Sequence, residues 1–155
     1  MDVVAIVVGL VVVVYALLDS FETLLATGIG GSRWSISRRY YRTVWWCWRR
    51  ACLWQRNDRR RERWLARFGP LSFVGLLTTW AVLEIAGWGL VWWGLRHSFT
   101  MPLGGIGPAW YYSGVVYFSI GFGDLLPGAG ALRMLTVLEA FTGLGTLGLV
   151  IGYLP

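Results

Sequence analysis

The chain has 155 residues, of which 56% are hydrophobic and only 14% are charged, and its formal net charge is +6. Soluble domains carry charge on about a quarter of their residues, so this composition excludes an ordinary soluble domain. The sequence predicts an all-α membrane protein.

The first predicted element is an N-terminal transmembrane helix within residues 1–27. Residues 3–18 read VVAIVVGLVVVVYALL and contain no charge. As a helix they cover ~24 Å, so a few flanking residues complete a ~30 Å bilayer core. A cleaved signal peptide is the alternative. It is disfavoured because the apolar run is long and is preceded by Asp2 rather than by a positive charge.

Residues 28–68 form a linker rich in arginine and tryptophan. All 14 basic residues of the chain are arginines, and twelve of them lie between Arg33 and Arg67. The positive-inside rule therefore places the linker in the cytoplasm. One helical face carries residues that favour a membrane interface, at Tyr41, Trp45, Trp48 and Cys52. Binding to anionic lipid headgroups is favoured over nucleic-acid binding. A voltage sensor is disfavoured, because its arginines would recur along an apolar helix.

Two further apolar runs, residues 69–95 and 129–153, predict spanning helices with one internal acid each, Glu84 and Glu139. Acids inside a membrane suggest a function, and the structural alternative is a protonated carboxyl group bonded to a neighbouring helix. Both interpretations stay open. The apolar segment between the two spans is too short to cross, so it predicts a re-entrant helix over 108–118, with Pro108 in its first turn.

The stretch SIGFGD, Ser119–Asp124, places glycines and an acid at membrane depth. Irregular backbone is tolerated there only where its carbonyls face a water-filled or ion-filled path. Gly121 and Gly123 can adopt backbone angles that L-residues avoid, so successive carbonyls can point the same way and replace the hydration shell of an ion. A surface loop is the alternative, since glycine, aspartate and proline are common in turns. The position between two spans favours a cation filter.

The segment YYSGVVYFSIGFGDLLP resembles the pore helix, selectivity filter and following proline of the tetrameric potassium channel family. Arg133 and the stretch GLGTLGLV at 143–150 resemble the inner helix of its simplest bacterial members. The resemblance covers about residues 69–155, as a pore module with an outer helix 69–95, a pore helix 108–118, a filter 119–124 and an inner helix 129–153. With the additional first helix, it implies three transmembrane helices per chain, a re-entrant pore loop and a homotetramer.

The resemblance also implies the function and the ligands. Potassium ions would bind in the filter formed by Ser119, Ile120, Gly121, Phe122 and Gly123, at the carbonyls of the first four. Permeation would be passive, with no enzyme activity and no organic cofactor. The expected location is the bacterial cytoplasmic membrane, with the linker and the C-terminus in the cytoplasm. The alternatives are a less selective cation channel and a non-conducting scaffold or lipid-binding regulator.

Three positions near the filter depart from the family's pattern. Phe118 stands where threonine is usual, Phe122 replaces the commoner tyrosine, and Val115 replaces a glutamate that in some members partners the filter aspartate. The expected filter supports are Asp124, Tyr111 and Val115, and Asp124 needs a hydrogen-bond donor other than the missing glutamate. We predict that Tyr111 is this donor.

On the predicted inner helix, Gly143 falls where the family has its hinge glycine. Close helix packing is the alternative interpretation for this glycine and for Gly145 and Gly148. By register with the family, the cavity is lined by three gate candidates, Leu144, Leu147 and Ile151. This register places Glu139 away from the cavity.

Overall fold

The computed structural model describes residues 1–25, 35–53, 64–65, 67–128 and 130–153. The described part of the chain forms five α-helices: α1 Val3–Leu25, α2 Ile36–Leu53, α3 Phe68–Gly94, α4 Ile106–Tyr117 and α5 Gly130–Tyr153. Of these, α1, α3 and α5 are long and apolar enough to cross a membrane. The prediction of an all-α membrane protein with three spanning helices is confirmed.

The helix boundaries lie close to those expected from sequence, with one difference. The helix α4 begins at Ile106, two residues before the predicted start at Pro108. Pro108 still lies in the first turn, where its missing amide proton breaks no intrahelical bond. The predicted linker falls partly outside the described residues, and Arg33 lies in that part.

The helix α1 packs along α3 at a crossing made by glycines. A Cβ atom on Gly9 would overlap the carbonyl oxygen of Gly87, and one on Gly87 would lie 2.8 Å from a methyl carbon of Val13. Small residues allow two transmembrane backbones to approach this closely. At one end of the pair, the Asp2 amide donates to the Gly94 carbonyl at 3.0 Å. The first helix is therefore fixed to α3 along its length.

An aromatic cluster joins α3 to α4. Trp92 is fully buried, and its ring meets Tyr112 and Phe99 edge-on, with centroids 5.1 and 5.8 Å apart. Trp88 stacks on Trp92 one turn earlier in α3. Edge-to-face pairs contribute about 0.5–1.5 kcal/mol each beyond the burial of their area. This cluster holds the short α4 against the longer helix.

Asp19, near the end of α1, connects three helices. Its carboxylate accepts hydrogen bonds from the Ile36 and Ser37 amides at 2.9 and 3.2 Å, and so caps the N-terminus of α2 from another helix. The Ser37 hydroxyl and the Trp80 indole of α3 donate to the same carboxylate at 2.6 and 2.9 Å. Sequence analysis missed Asp19, because its partners lie far from it along the chain.

Replacement of Asp19 by alanine is expected to lower the free energy of unfolding by about 1–3 kcal/mol, since buried donors lose their acceptor. Denaturant unfolding of the purified protein in detergent, followed by tryptophan fluorescence, measures this change. Glu22→Ala, at an exposed site on the same helix, serves as the control. Wild-type stability of Asp19→Ala would show that the cap contributes nothing.

Candidate functional site

The helix α4 is too short to cross a bilayer, because its 12 residues cover ~18 Å. It packs against α3 and α5 through a buried face that includes Ala109, Ser113 and Val116. Gly89 of α3 makes room for α4, since a Cβ atom there would overlap the ring of Trp110. The short helix therefore has a fixed position between two spanning helices.

A tight turn connects α4 to the strand-like segment 119–123, which we call the filter segment. Three backbone bonds close the turn, from the amides of Phe118, Ser119 and Ile120 to the carbonyls of Gly114, Val116 and Val115, at 3.1, 2.9 and 2.9 Å. These bonds use carbonyls that would otherwise lack partners at the helix end. Val115 thus supports the filter segment through its backbone rather than its side chain.

The sign of φ alternates along the filter segment. Ser119, Gly121 and Gly123 have φ of 54°, 64° and 76°. Ser119 is the only non-glycine with positive φ in the described chain, so Ile120 and Phe122 lie at negative φ. Such alternation lets successive carbonyls face one side of the segment, the arrangement used to coordinate dehydrated cations. The left-handed Ser119 costs about 1–3 kcal/mol, and strain of this kind clusters at functional sites.

The filter segment is exposed along its length in the single chain. Ile120 and Phe122 are 53% and 66% exposed, and the preceding Phe118 is 51% exposed. One strand cannot surround an ion, and backbone carbonyls at membrane depth must face protein or a water-filled path rather than lipid. The described part of one chain therefore does not enclose an ion at this segment.

Asp124 follows the filter segment and accepts a hydrogen bond from the Tyr111 hydroxyl of α4. This bond raises the pKa of the Tyr111 hydroxyl above its ordinary value, because ionisation would remove the proton that the hydroxyl donates to Asp124. The structure brings these two residues together, and their role as supports of a filter stays a prediction. The bond ties the far end of the filter segment to the same helix that holds its beginning.

The chain beyond Asp124 is paired with the loop that follows α3. The Thr100 amide donates to the Leu126 carbonyl and the Gly128 amide to the Ser98 carbonyl, both at 3.0 Å. Since Ser98 and Thr100 follow directly from α3, these bonds position the exit from the filter segment. Sequence patterns gave no indication of this pairing, because its two sides are separated by α4.

Gly143 of α5 lies against the end of α4. A Cβ atom at this position would overlap the carbonyl oxygen of Tyr117, the last residue of α4. Gly143 therefore has a packing contact, whereas a Cβ atom on Gly145 would meet nothing within 4 Å. The gate candidates on the same helix, Leu144, Leu147 and Ile151, are exposed.

Both intramembrane acids are fully buried between helices. In Glu84, Oε1 accepts from the Thr146 hydroxyl at 3.0 Å, while Oε2 has no hydrogen-bond partner in the part of the chain that the structure describes. In Glu139, Oε2 accepts from the Trp92 indole at 2.6 Å, and Oε1 lies 2.5 Å from the Ser113 hydroxyl oxygen. Each acid connects two or more helices, and Glu139 lies away from the exposed side of α5.

Comparison with known proteins supports an ion channel. Residues 78–154, just under half of the chain, match a family described as an ion channel. The chain is also similar to YdjJ of Bacillus subtilis (strain 168), an uncharacterized membrane protein, with 33% identity over 94 residues. That similarity covers 58% of this chain and 28% of the relative's length. No solved structure matches the chain.

Proposed function

We propose that this ion-channel-like chain is one subunit of a potassium-selective channel, in which four copies surround a central pore. The observation that carries the proposal is the filter segment, with φ alternating in sign and both ends tied to α4. Four such segments on one axis would enclose an ion path and cover the exposed Ile120 and Phe122. The family match over 78–154 includes this segment.

In this proposal the ion is the cargo, and no covalent step is involved. The carbonyls of Ser119, Ile120, Gly121 and Phe122 replace its hydration shell, and Gly123 completes the segment. The C-terminal end of α4, which carries the negative end of the helix dipole, favours a cation on the approach to the filter. Potassium then moves passively down its electrochemical gradient.

The helix α2 is proposed to lie on the anionic surface of the bacterial cytoplasmic membrane, on its cytoplasmic side. Arg42, Arg49 and Arg50 are exposed, and the Arg50 guanidinium lies 5.0 Å from the centre of the exposed Trp46 ring. Trp45, which belongs to the helical face predicted to lie at the membrane interface, is also exposed. Its ring meets Phe68 of α3 edge-on at 4.9 Å, so part of that predicted face packs on protein. Arginine beside tryptophan suits an interface with anionic headgroups.

Potassium flux into liposomes that contain the purified protein tests the proposed function. We expect Ba²⁺-sensitive K⁺ flux, and a reversal potential that follows the K⁺ gradient when Na⁺ is on the other side. A reversal potential near zero under this gradient would indicate a less selective cation channel. No flux from protein shown by mass measurement to be tetrameric would indicate a non-conducting scaffold or regulator.

Tyr111→Phe is expected to speed the loss of K⁺ current during sustained activation, because Asp124 loses its donor while the ring remains. Single-channel recording in planar bilayers measures this rate. The bond requires a neutral hydroxyl, so it is present at neutral pH and lost as pH rises through the raised pKa of Tyr111. The variant should therefore lack the faster inactivation at alkaline pH that we expect of the wild type.

Asp124→Asn and the double variant provide the control for this pair. If the two side chains act through one hydrogen bond, the double variant inactivates no faster than the more affected single variant. Additive effects of the two substitutions would contradict a shared role.

A further inference from the structure

Glu139 is the point at which α5 is bonded to both of its neighbours. Its Oε2 accepts the Trp92 indole proton of α3 at 2.6 Å, and its Oε1 is 2.5 Å from Ser113 Oγ of α4. Glu139 and Ser113 have no exposed surface. The same Ser113 oxygen lies 3.0 Å from the Ile85 carbonyl oxygen of α3. One carboxyl group and one hydroxyl thus link all three helices.

The single proton of the Ser113 hydroxyl limits which ionisation state of Glu139 fits these contacts. The hydroxyl has one proton, while the Ile85 carbonyl can only accept. If Ser113 donates to Ile85, then the 2.5 Å contact requires a proton from Glu139. If Ser113 instead donated to an ionised Glu139, its oxygen would face the Ile85 carbonyl at 3.0 Å without a proton between them. A protonated Glu139 gives each contact its own proton, whereas an ionised Glu139 would leave both contacts to share the single proton of Ser113.

The charges around Glu139 agree with this state. The titratable side chains on the two helices packed against it are Glu84 on α3 and three tyrosines on α4: Tyr111, Tyr112 and Tyr117. Among the described residues, the hydrogen-bond partners of the Glu139 carboxyl group are Trp92 and Ser113, and no salt bridge offsets a charge on it. An ionised carboxylate buried without a cation is costly, so burial favours the neutral acid.

We infer that Glu139 is a neutral carboxylic acid that donates its proton to Ser113 and thereby positions α4, and the filter segment attached to it, against α3 and α5. Ser113 lies two residues before Val115, whose carbonyl holds the Ile120 amide. Glu139 is therefore a positioning residue that touches no ion. Its effect on conduction rests on the proposed function, whereas its protonation does not.

Two substitutions of Glu139 test whether its side chain acts as a neutral hydrogen-bonding group rather than as a charged carboxylate. In Glu139→Gln the amide NH₂ can donate to Ser113 while the amide oxygen accepts from Trp92, so both bonds are kept without a charge. Glu139→Leu has a similar size but loses both bonds. We expect the glutamine variant to retain wild-type K⁺ flux and amide protection of α4. The leucine variant should lose flux and show faster hydrogen exchange in peptides from 106–117, with exchange in α1 unchanged.

Infrared spectroscopy of the protein in lipid tests the protonation directly. The carbonyl stretching band of a protonated carboxylic acid should be present at neutral pH and weaker in Glu139→Gln. Glu84→Gln is measured alongside it, so that the contribution of the second buried acid is assigned separately.

The inference is overturned if Glu139→Gln leaves the carboxylic-acid band unchanged, or if it loses α4 protection as fully as Glu139→Leu. An equal rise in amide hydrogen exchange across α1 and α4 in Glu139→Leu would also overturn the inference, because it would indicate that the whole protein is destabilised. If the band is present and the wild type carries no K⁺ flux, the protonated acid stands and the proposed function fails.

Discussion

Gly143→Ala is expected to abolish K⁺ flux and to lower the thermal stability of the protein. The added Cβ would overlap the Tyr117 carbonyl oxygen, which belongs to the last turn of α4. Relief requires a backbone shift of α4 or α5, and overpacking of this kind costs about 1–3 kcal/mol per site. In a channel of four chains the cost recurs at each subunit. A shift of Tyr117 would also displace Ser119, the first residue of the filter segment, which lies two residues further along the chain.

The measurement pairs liposomal K⁺ flux with thermal unfolding in detergent. Gly145→Ala is the matched control, since a Cβ atom at Gly145 meets nothing within 4 Å among the described residues. A hinge and a packing contact predict different results. A hinge glycine should change the open probability while stability stays at the wild-type value, whereas the packing contact predicts that stability falls. Normal flux and stability of Gly143→Ala would contradict both roles.

Gly121→Ala is expected to abolish selective K⁺ flux while the helices remain folded. Gly121 has a φ of 64°, and an L-residue in the left-handed region costs about 1–2 kcal/mol. Four chains would each carry this strain at the same level of the pore, beside the strain already present at Ser119. The segment then relaxes to angles that turn a carbonyl away from the ion path.

Circular dichroism and size measurement establish that Gly121→Ala is folded and assembled before its flux is measured. Gly107→Ala is the control, because Gly107 lies in the first turn of α4 without a positive φ and a Cβ atom there meets nothing within 4 Å. It should conduct as the wild type does. Wild-type K⁺ selectivity of Gly121→Ala would show that the positive φ is not needed for permeation.

Much of this architecture could be predicted from local sequence. Spanning helices depend on the length and hydropathy of one continuous segment, so the bounds of α3 and α5 were predicted to within one residue. Positive φ at Gly121 and Gly123 was indicated by the two glycines, since glycine favours φ values that other residues avoid, whereas the positive φ of Ser119 was not predicted. The start of α4 was placed two residues late, because Pro108 is tolerated throughout a first turn and does not define its first residue.

The sequence by itself determined the membrane class, the number of spans and the unusual backbone at Gly121 and Gly123, because these follow from composition, segment length and glycine spacing. Only the tertiary structure decided what Asp19, Glu139 and Gly143 do. Their partners are Ile36, Ser113 and Tyr117, on other helices. A buried acid or a glycine in a helix looks the same in sequence whatever it faces. Its role depends on which neighbouring atom lies within hydrogen-bond or van der Waals distance, and packing of the helices sets that distance.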